Sequence, residues 1–240
     1  MIKQNIMNRL FFMFILTMIS LGAFAQNTVN QFDEAGNRHG VWKKYFDKTD
    51  QLRYEGKFDH GKEMDTFKFY TLNKKKSVLS AIKVFNPNNS MASVKFISSK
   101  GKPISEGTMN GRLYTGKWTY YHNNSAAVMS TESYDDNGNL VGDKVVYYKN
   151  GQIAETSIYK DGKLEGESKW YSEKGILLKE FLYKNDELHG LAKYYDGDGI
   201  MLAEGEYQHG RKHKTWNYYE GGKLKKSTDH TRRSNNPKKQ

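Results

Sequence analysis

The chain has 240 residues, is 37% hydrophobic and 14% aromatic with 17 Tyr, and carries a formal charge of +11. So few Leu, Ile and Val exclude a large aliphatic core, and zero Cys excludes disulfides, a thiolate metal site, a Cys nucleophile and a lipobox anchor. Charges of both signs are interspersed, so the positive balance reads first as solubility and second as attraction to an anionic surface.

The chain opens with Lys3 and Arg9, then an apolar run from Leu10 to Phe24, then Ala23-Phe24-Ala25 before Gln26. A charged start, a short apolar middle and small residues at the −1 and −3 positions predict a secretory signal peptide over residues 1–25, cut after Ala25. The run is short for an uncleaved anchor. No later segment is apolar enough to cross a bilayer, so no transmembrane span is expected after cleavage. The predicted location is the periplasm or the outside of a bacterial cell, which also suits a cysteine-free chain.

From Phe32 onward a large residue returns at nearly even spacing: Phe32, Tyr45, Phe58, Phe69, Phe85, Phe96, Met109, Tyr121, Tyr134 and Tyr147. After Tyr147 the step is 12 throughout, at Tyr159, Tyr171, Tyr183, Tyr195, Tyr207 and Tyr219. Twelve residues are too few for a helix pair and suit one strand with one turn. Glycine turns lie between the beats, at Asn137-Gly138, Asn150-Gly151, Asp161-Gly162, Lys174-Gly175 and Gly221-Gly222. Asn-Gly and Asp-Gly readily take the positive φ that tight hairpins need. Alternate units differ. Some place a Glu before the large residue, as at Glu55, Glu106, Glu180 and Glu204, and the others open on Gly40, Gly116, Gly142, Gly166 or Gly190. The repeat is therefore a two-strand hairpin of about 24 residues. Residues 26–226 are predicted to be an all-β array of about sixteen strands, one per beat.

Residues 72–112 keep the beat poorly and read as degenerate repeats with longer loops, around Lys74-Lys75-Lys76 and Asn86-Pro87-Asn88-Asn89. Loops that break a repeat often carry function. Residues 227–240 have no apolar side chain and read as a basic, disordered tail.

A search for chemistry finds little. His39, His60, His189 and His209 each precede Gly and read as turn residues. His209 and His213 stand four apart but flank a turn without a supporting carboxylate, so no metal site is expected. No phosphate-cradling glycine motif or nucleophile elbow is present. The recurring Glu residues read as cross-strand partners of Lys rather than as a catalytic carboxylate pair.

The segment from Gly205 through Trp216 to Tyr219 resembles a MORN repeat, as do Gly36-Asn37-Arg38-His39-Gly40-Val41-Trp42 and Gly116-Lys117-Trp118-Thr119-Tyr120-Tyr121. The form is similar to the bacterial variant found in the YwqK-like, antitoxin-labelled family. Met64 and Lys214 stand where that pattern has an opening Gly, and Asp186 where it has a turn Gly. The resemblance implies an elongated, twisted, single-layer antiparallel β-meander with no shared catalytic residue and no cofactor. It also implies scaffolding or protein–protein contact, with lipid in some members, and the antitoxin label implies a toxin partner. The leading expectation is an exported, non-enzymatic scaffold that binds an unknown protein partner. An aromatic stripe of Trp42, Tyr45, Trp118, Tyr121, Tyr147, Trp170, Tyr171, Tyr195, Trp216 and Tyr219 would form the contact. Envelope glycan or anionic lipid is the alternative partner, and no nucleic acid is expected.

Overall fold

The structure, a computed structural model, describes residues 29–231. The predicted signal peptide lies outside the described residues. The fold is one antiparallel sheet of 17 strands with no helix among the described residues. The first nine are β1 (Gln31–Phe32), β2 (Arg38–Tyr45), β3 (Leu52–Asp59), β4 (Lys62–Asn73), β5 (Lys76–Phe85), β6 (Met91–Ile97), β7 (Pro103–Asn110), β8 (Leu113–Tyr121) and β9 (Val128–Tyr134). The rest are β10 (Gly142–Tyr147), β11 (Ile153–Lys160), β12 (Lys163–Tyr171), β13 (Leu177–Lys184), β14 (Glu187–Tyr195), β15 (Met201–Gln208), β16 (Arg211–Glu220) and β17 (Lys223–Asp229). Neighbours in the chain are neighbours in the sheet along the whole array, which makes it a meander.

Each of the sixteen beats falls in its own strand, from Phe32 in β1 to Tyr219 in β16. The seventeenth strand is the one the spacing did not announce. β17 carries no aromatic and its Leu224 is exposed, yet Ser227, Thr228 and Asp229 pair with Asn217, Trp216 and Thr215. Those three residues therefore belong to the sheet and not to the tail. The exposed edge of β16 supplied hydrogen-bond partners to any extended polar segment that followed it. Residues 232–240 lie outside the described residues.

Turn chemistry explains the spacing. In the regular half, two-residue turns alternate with five-residue connections. The short turns place both residues at positive φ, as at Asp161-Gly162 (51° and 79°), Asn185-Asp186 (49° and 69°) and His209-Gly210 (49° and 71°). Positive φ at both central residues matches the strand twist in a two-residue hairpin. Residues 72–112 depart from the expectation of longer loops. Lys74 and Lys75 form another such tight turn, at 49° and 65°, between strands of 12 and 10 residues. The connections around Asn86-Pro87 and Ser98-Ser99 are ordinary five-residue ones. What changes here is phase: two short turns follow one another at β3–β4 and β4–β5, then two long ones. The faltering beat records longer strands, not an insert.

The core lies on one face, here called the inner face. Three clusters hold it together: Trp42 with Phe58 and Phe67; Val94 and Met109 with Trp118; Phe181 and Ala192 with Trp216. Trp118, Trp216 and Phe67 are fully buried. Each of these three rings lies flat on a glycine of the preceding strand: Phe67 on Gly56, Trp118 on Gly107 and Trp216 on Gly205. Each glycine sits at a register shift, between Glu55 and Lys57, between Glu106 and Thr108, and between Glu204 and Glu206. The bulge brings bare backbone up to the ring. One turn of the repeat earlier the sizes are exchanged, with Phe181 at the glycine position and Ala192 at the tryptophan position. Earlier still both are small and buried, Ser157 and Ser168. Complementary volume along the ladder keeps a thin core dense.

Two residues before each such position the backbone turns left-handed, at Gly40, Asp65, Gly116, Gly166, Gly190 and Lys214. Lys214 replaces the opening Gly as expected. At the other site Asp65 does so, not Met64, because the kink falls two residues before Phe67. The kink folds the strand so that the side chain four residues before the ring covers it. Tyr114 stacks on Trp118 at 3.8 Å, the Lys212 amine lies 4.1 Å from the Trp216 centroid, and the Arg38 guanidinium lies 5.0 Å from that of Trp42.

Candidate interaction face

The ten aromatics expected to form one stripe divide into two groups. Trp42, Trp118 and Trp216 are buried on the inner face, and Trp170 packs there against Phe181 at 5.2 Å. The indole N–H groups of Trp118 and Trp216 donate to the backbone carbonyls of Thr108 and Glu206, both at 2.9 Å. Trp42, Trp118 and Trp216 are core, and Trp170 is half-buried against it. Tyr45, Tyr121, Tyr147, Tyr171, Tyr195 and Tyr219 stand at strand ends, each just beyond a register shift. They lie one residue past their inner-face neighbours, and the bulge turns them away from the Trp set. No single stripe exists.

Three tyrosines are tied down instead. Tyr70, Tyr121 and Tyr219 each donate to a glutamate 15 residues earlier: Glu55 at 2.7 Å, Glu106 at 2.5 Å and Glu204 at 2.7 Å. The acceptor is the Glu that precedes the bulge glycine. Glu106 pulls the Tyr121 phenol up to about 12, and burial followed by Glu55 pushes Tyr70 up to about 12. In return Tyr121 and Lys95 hold the Glu106 carboxyl below its usual range. Tyr70 escaped sequence reading because it lies off the 12-residue beat. The three-fold recurrence of Glu-Gly followed by a Tyr 14 residues after the Gly was the available signal.

The other face of the sheet carries two sets of residues. One is ionic: Lys43 and Lys68 flank Glu55, Lys95 meets Glu106 at 3.0 Å, and Lys169 and Lys193 flank Glu180 at 3.5 Å each. These are the Lys partners that the recurring Glu residues were expected to find. The other set is aliphatic, spread over the face at different levels of the strands. Val41, Val84, Ile104, Ile158, Leu182, Leu191 and Leu202 stand on this face with large parts of their surface open, Leu191 at 52%. They alternate in sequence with inner-face residues, so none of them is needed by the aromatic core. A shallow cleft of about 450 Å³ is lined by Ile82, Val84, Lys95, Glu106, Gly107 and Thr108. A second of about 300 Å³ lies beside Val41, Glu55, Gly56 and Lys68. The first lies within residues 72–112, where a specific contact was expected.

The histidines also meet in pairs. His60 and His209 are turn residues as expected, but His39 and His189 lie inside strands β2 and β14 and face them across the ladder. The ring centroids are 4.9 Å and 5.6 Å apart. Among the described residues one group has metal-ligand spacing, formed by His39, Asp59 and His60.

A long meander with a thin aromatic core and a mixed ionic and aliphatic outer face is a β-repeat scaffold or interaction module. The family model for the MORN repeat variant matches residues 140–161, 164–185 and 188–209. Successive matches begin 24 residues apart, and each spans one hairpin: β10–β11, β12–β13 and β14–β15. No curated protein matches the chain.

Proposed function

We propose that the protein is an exported envelope scaffold that docks a protein partner on the outer face of its sheet. Its work is binding, as MORN-type repeats are in general non-enzymatic binding modules. One observation carries the reading: on the face that the core does not use, the exposed Leu182 and Leu191 line one cleft together with Glu167, Glu180 and Lys193. Single exposed aliphatics are ordinary, whereas neighbouring ones rimmed by charges suit a contact surface. The Lys–Glu rows beside it would set register and exclude mismatched partners. Export rests on the leader-like segment at residues 1–25.

The test is affinity capture from bacterial envelope extracts with the 26–240 chain, alongside a Leu182→Asp/Leu191→Asp variant. The reading expects a reproducible protein that the variant recovers at least tenfold less well. Equal recovery by both chains, or none by either, refutes it. Sedimentation with anionic vesicles or cell-wall fragments at low salt, abolished by high salt, would instead favour the lipid or glycan alternative. A captured toxin would revive the antitoxin alternative.

A further inference from the structure

We propose that His39, Asp59 and His60 form a binding site for a divalent transition metal, with zinc as the best fit. His39 lies near the start of β2, Asp59 ends β3, and His60 opens the tight turn into β4. Hairpin register brings them together. The His39 Nδ1 atom stands 3.5 Å from Asp59 Oδ1, and His60 Nε2 stands 3.9 Å from the same oxygen. One ligand atom from each residue falls within 4.8 Å of the other two. Ligands about 2.0–2.2 Å from a tetrahedral zinc are about 3.4 Å apart. Closing even a 4.8 Å separation to that value takes about 1.4 Å, shared between two exposed side chains. Two imidazoles and one carboxylate leave a fourth position for solvent, the pattern of an open zinc site.

A second observation points the same way. The other nitrogen of His60, Nδ1, is 2.6 Å from Asp33 Oδ2. Asp33 is itself held by the Asn37 backbone N–H at 2.7 Å, and its side chain is only 9% exposed. When Asp33 accepts the Nδ1–H hydrogen bond, the neutral imidazole keeps its lone pair on Nε2, the nitrogen on the Asp59 side. Carboxylate, imidazole and metal in line is how metal-ligating histidines are oriented. Three sequence-distant pieces, the β1–β2 turn, the start of β2 and the β3–β4 turn, are thus poised around one point. A metal there would clasp the first hairpin to the two-residue strand β1, at the end of the array where a repeat protein needs a cap.

The repeat contains its own control. His189 and His209 make the equivalent pair, and His209 Nδ1 meets Glu187 Oε2 at 3.2 Å. But Gln208 stands where the first site has Asp59, so the third ionic ligand is missing. The two sites differ by the residue that a metal site requires.

The experiment titrates the untagged full chain with zinc, and with cobalt to read coordination from its visible spectrum. The expected result is one saturable site, a tetrahedral-type cobalt spectrum and a melting temperature that rises with zinc concentration. His39→Gln, Asp59→Asn and His60→Gln should each weaken binding at least tenfold, while His189→Gln and His209→Gln leave it unchanged. Asp33→Asn, which removes no ligand, should weaken it by about 10–100-fold. Of the five other positions, four are exposed and His189 is half-buried, and melting without metal verifies that each variant folds. Lack of saturable binding, or binding lost through His189 or His209 instead, overturns the proposal.

Discussion

Gly205→Ala should cost far more than one methyl group suggests. A Cβ at that position would lie 2.4 Å from Trp216 Cδ2 and 2.5 Å from its Cε2 and Cγ. Carbon atoms rest at about 3.5–4.0 Å, so the overlap is about 1 Å. The ring cannot yield cheaply. Trp216 is fully buried, Tyr207 meets it edge-on at 5.0 Å, and the Lys212 amine lies over its other face at 4.1 Å. Retreat would compress that layer, at about 1–3 kcal/mol, and would stretch the indole hydrogen bond to Glu206, worth about 1 kcal/mol. The expected loss is about 2–4 kcal/mol. Urea unfolding followed by far-ultraviolet circular dichroism measures it. Gly197→Ala is the control, because a Cβ there meets nothing within 4 Å. Trp216→Ala alone should cost about 3–5 kcal/mol. The double variant should cost no more than Trp216→Ala, because the clash has gone, so the two effects couple by about 2 kcal/mol or more. A Gly205→Ala chain within about 0.5 kcal/mol of the parent, or an additive double variant, would refute the argument.

Three other outcomes follow from the same geometry. Lys214 holds φ at 57°, which a lysine adopts at a cost of about 1–2 kcal/mol; Lys214→Gly should raise the melting temperature by a few degrees, after the entropy of glycine is deducted, and a fall would show that the 2.8 Å contact with Glu206 matters more. Tyr121→Phe should flatten the alkaline limb of the stability profile. The folded phenol, held near 12, keeps a proton that the unfolded chain sheds above 10, so its contribution is whole below pH 10 and is lost as pH rises toward 12. Urea midpoints at pH 9 and pH 11 report it, and an equal drop in parent and variant would count against the Glu106–Tyr121 bond. Leu182→Asp, finally, should fold as well as the parent, since its side chain faces away from the core; a large loss in melting temperature would mean that the outer face is structural.

The fold was legible because its determinants are local. A hairpin register is set by its turn, turn chemistry is written in two to five residues, and every beat from Phe32 to Tyr219 landed in a separate strand. β17 was not legible, because its one apolar residue, Leu224, is exposed, and the strand is held by backbone pairing and a Ser227–Asn217 side-chain hydrogen bond rather than by a core ring. The binding face was misread for a related reason. Tyr45, Tyr121 and Tyr219 stand three residues after Trp42, Trp118 and Trp216, and a regular strand already sends that odd offset to the opposite face. The stripe treated periodicity along the chain as proximity on one surface.

Regular recurrence and function separate along this sheet. The inner face must repeat, since each ring needs a small partner on the next strand: Trp216 over Gly205, Phe181 beside Ala192, Ser157 beside Ser168. A residue on that ladder is constrained by volume, whatever a partner requires. The outer face and the turns are free of that demand, and there the repeats diverge. Asp59 gives way to Gln208 between the two histidine pairs, and Asn37 to Glu187. The cleft beside Glu106 is lined by Ile82, Val84 and Lys95, while the one beside Glu180 is lined by Leu182, Leu191 and Lys193. Specific chemistry in such an array belongs where one repeat differs from the next at a position the core does not set. His39, Asp59 and His60 meet that condition, and the ten regular aromatics do not.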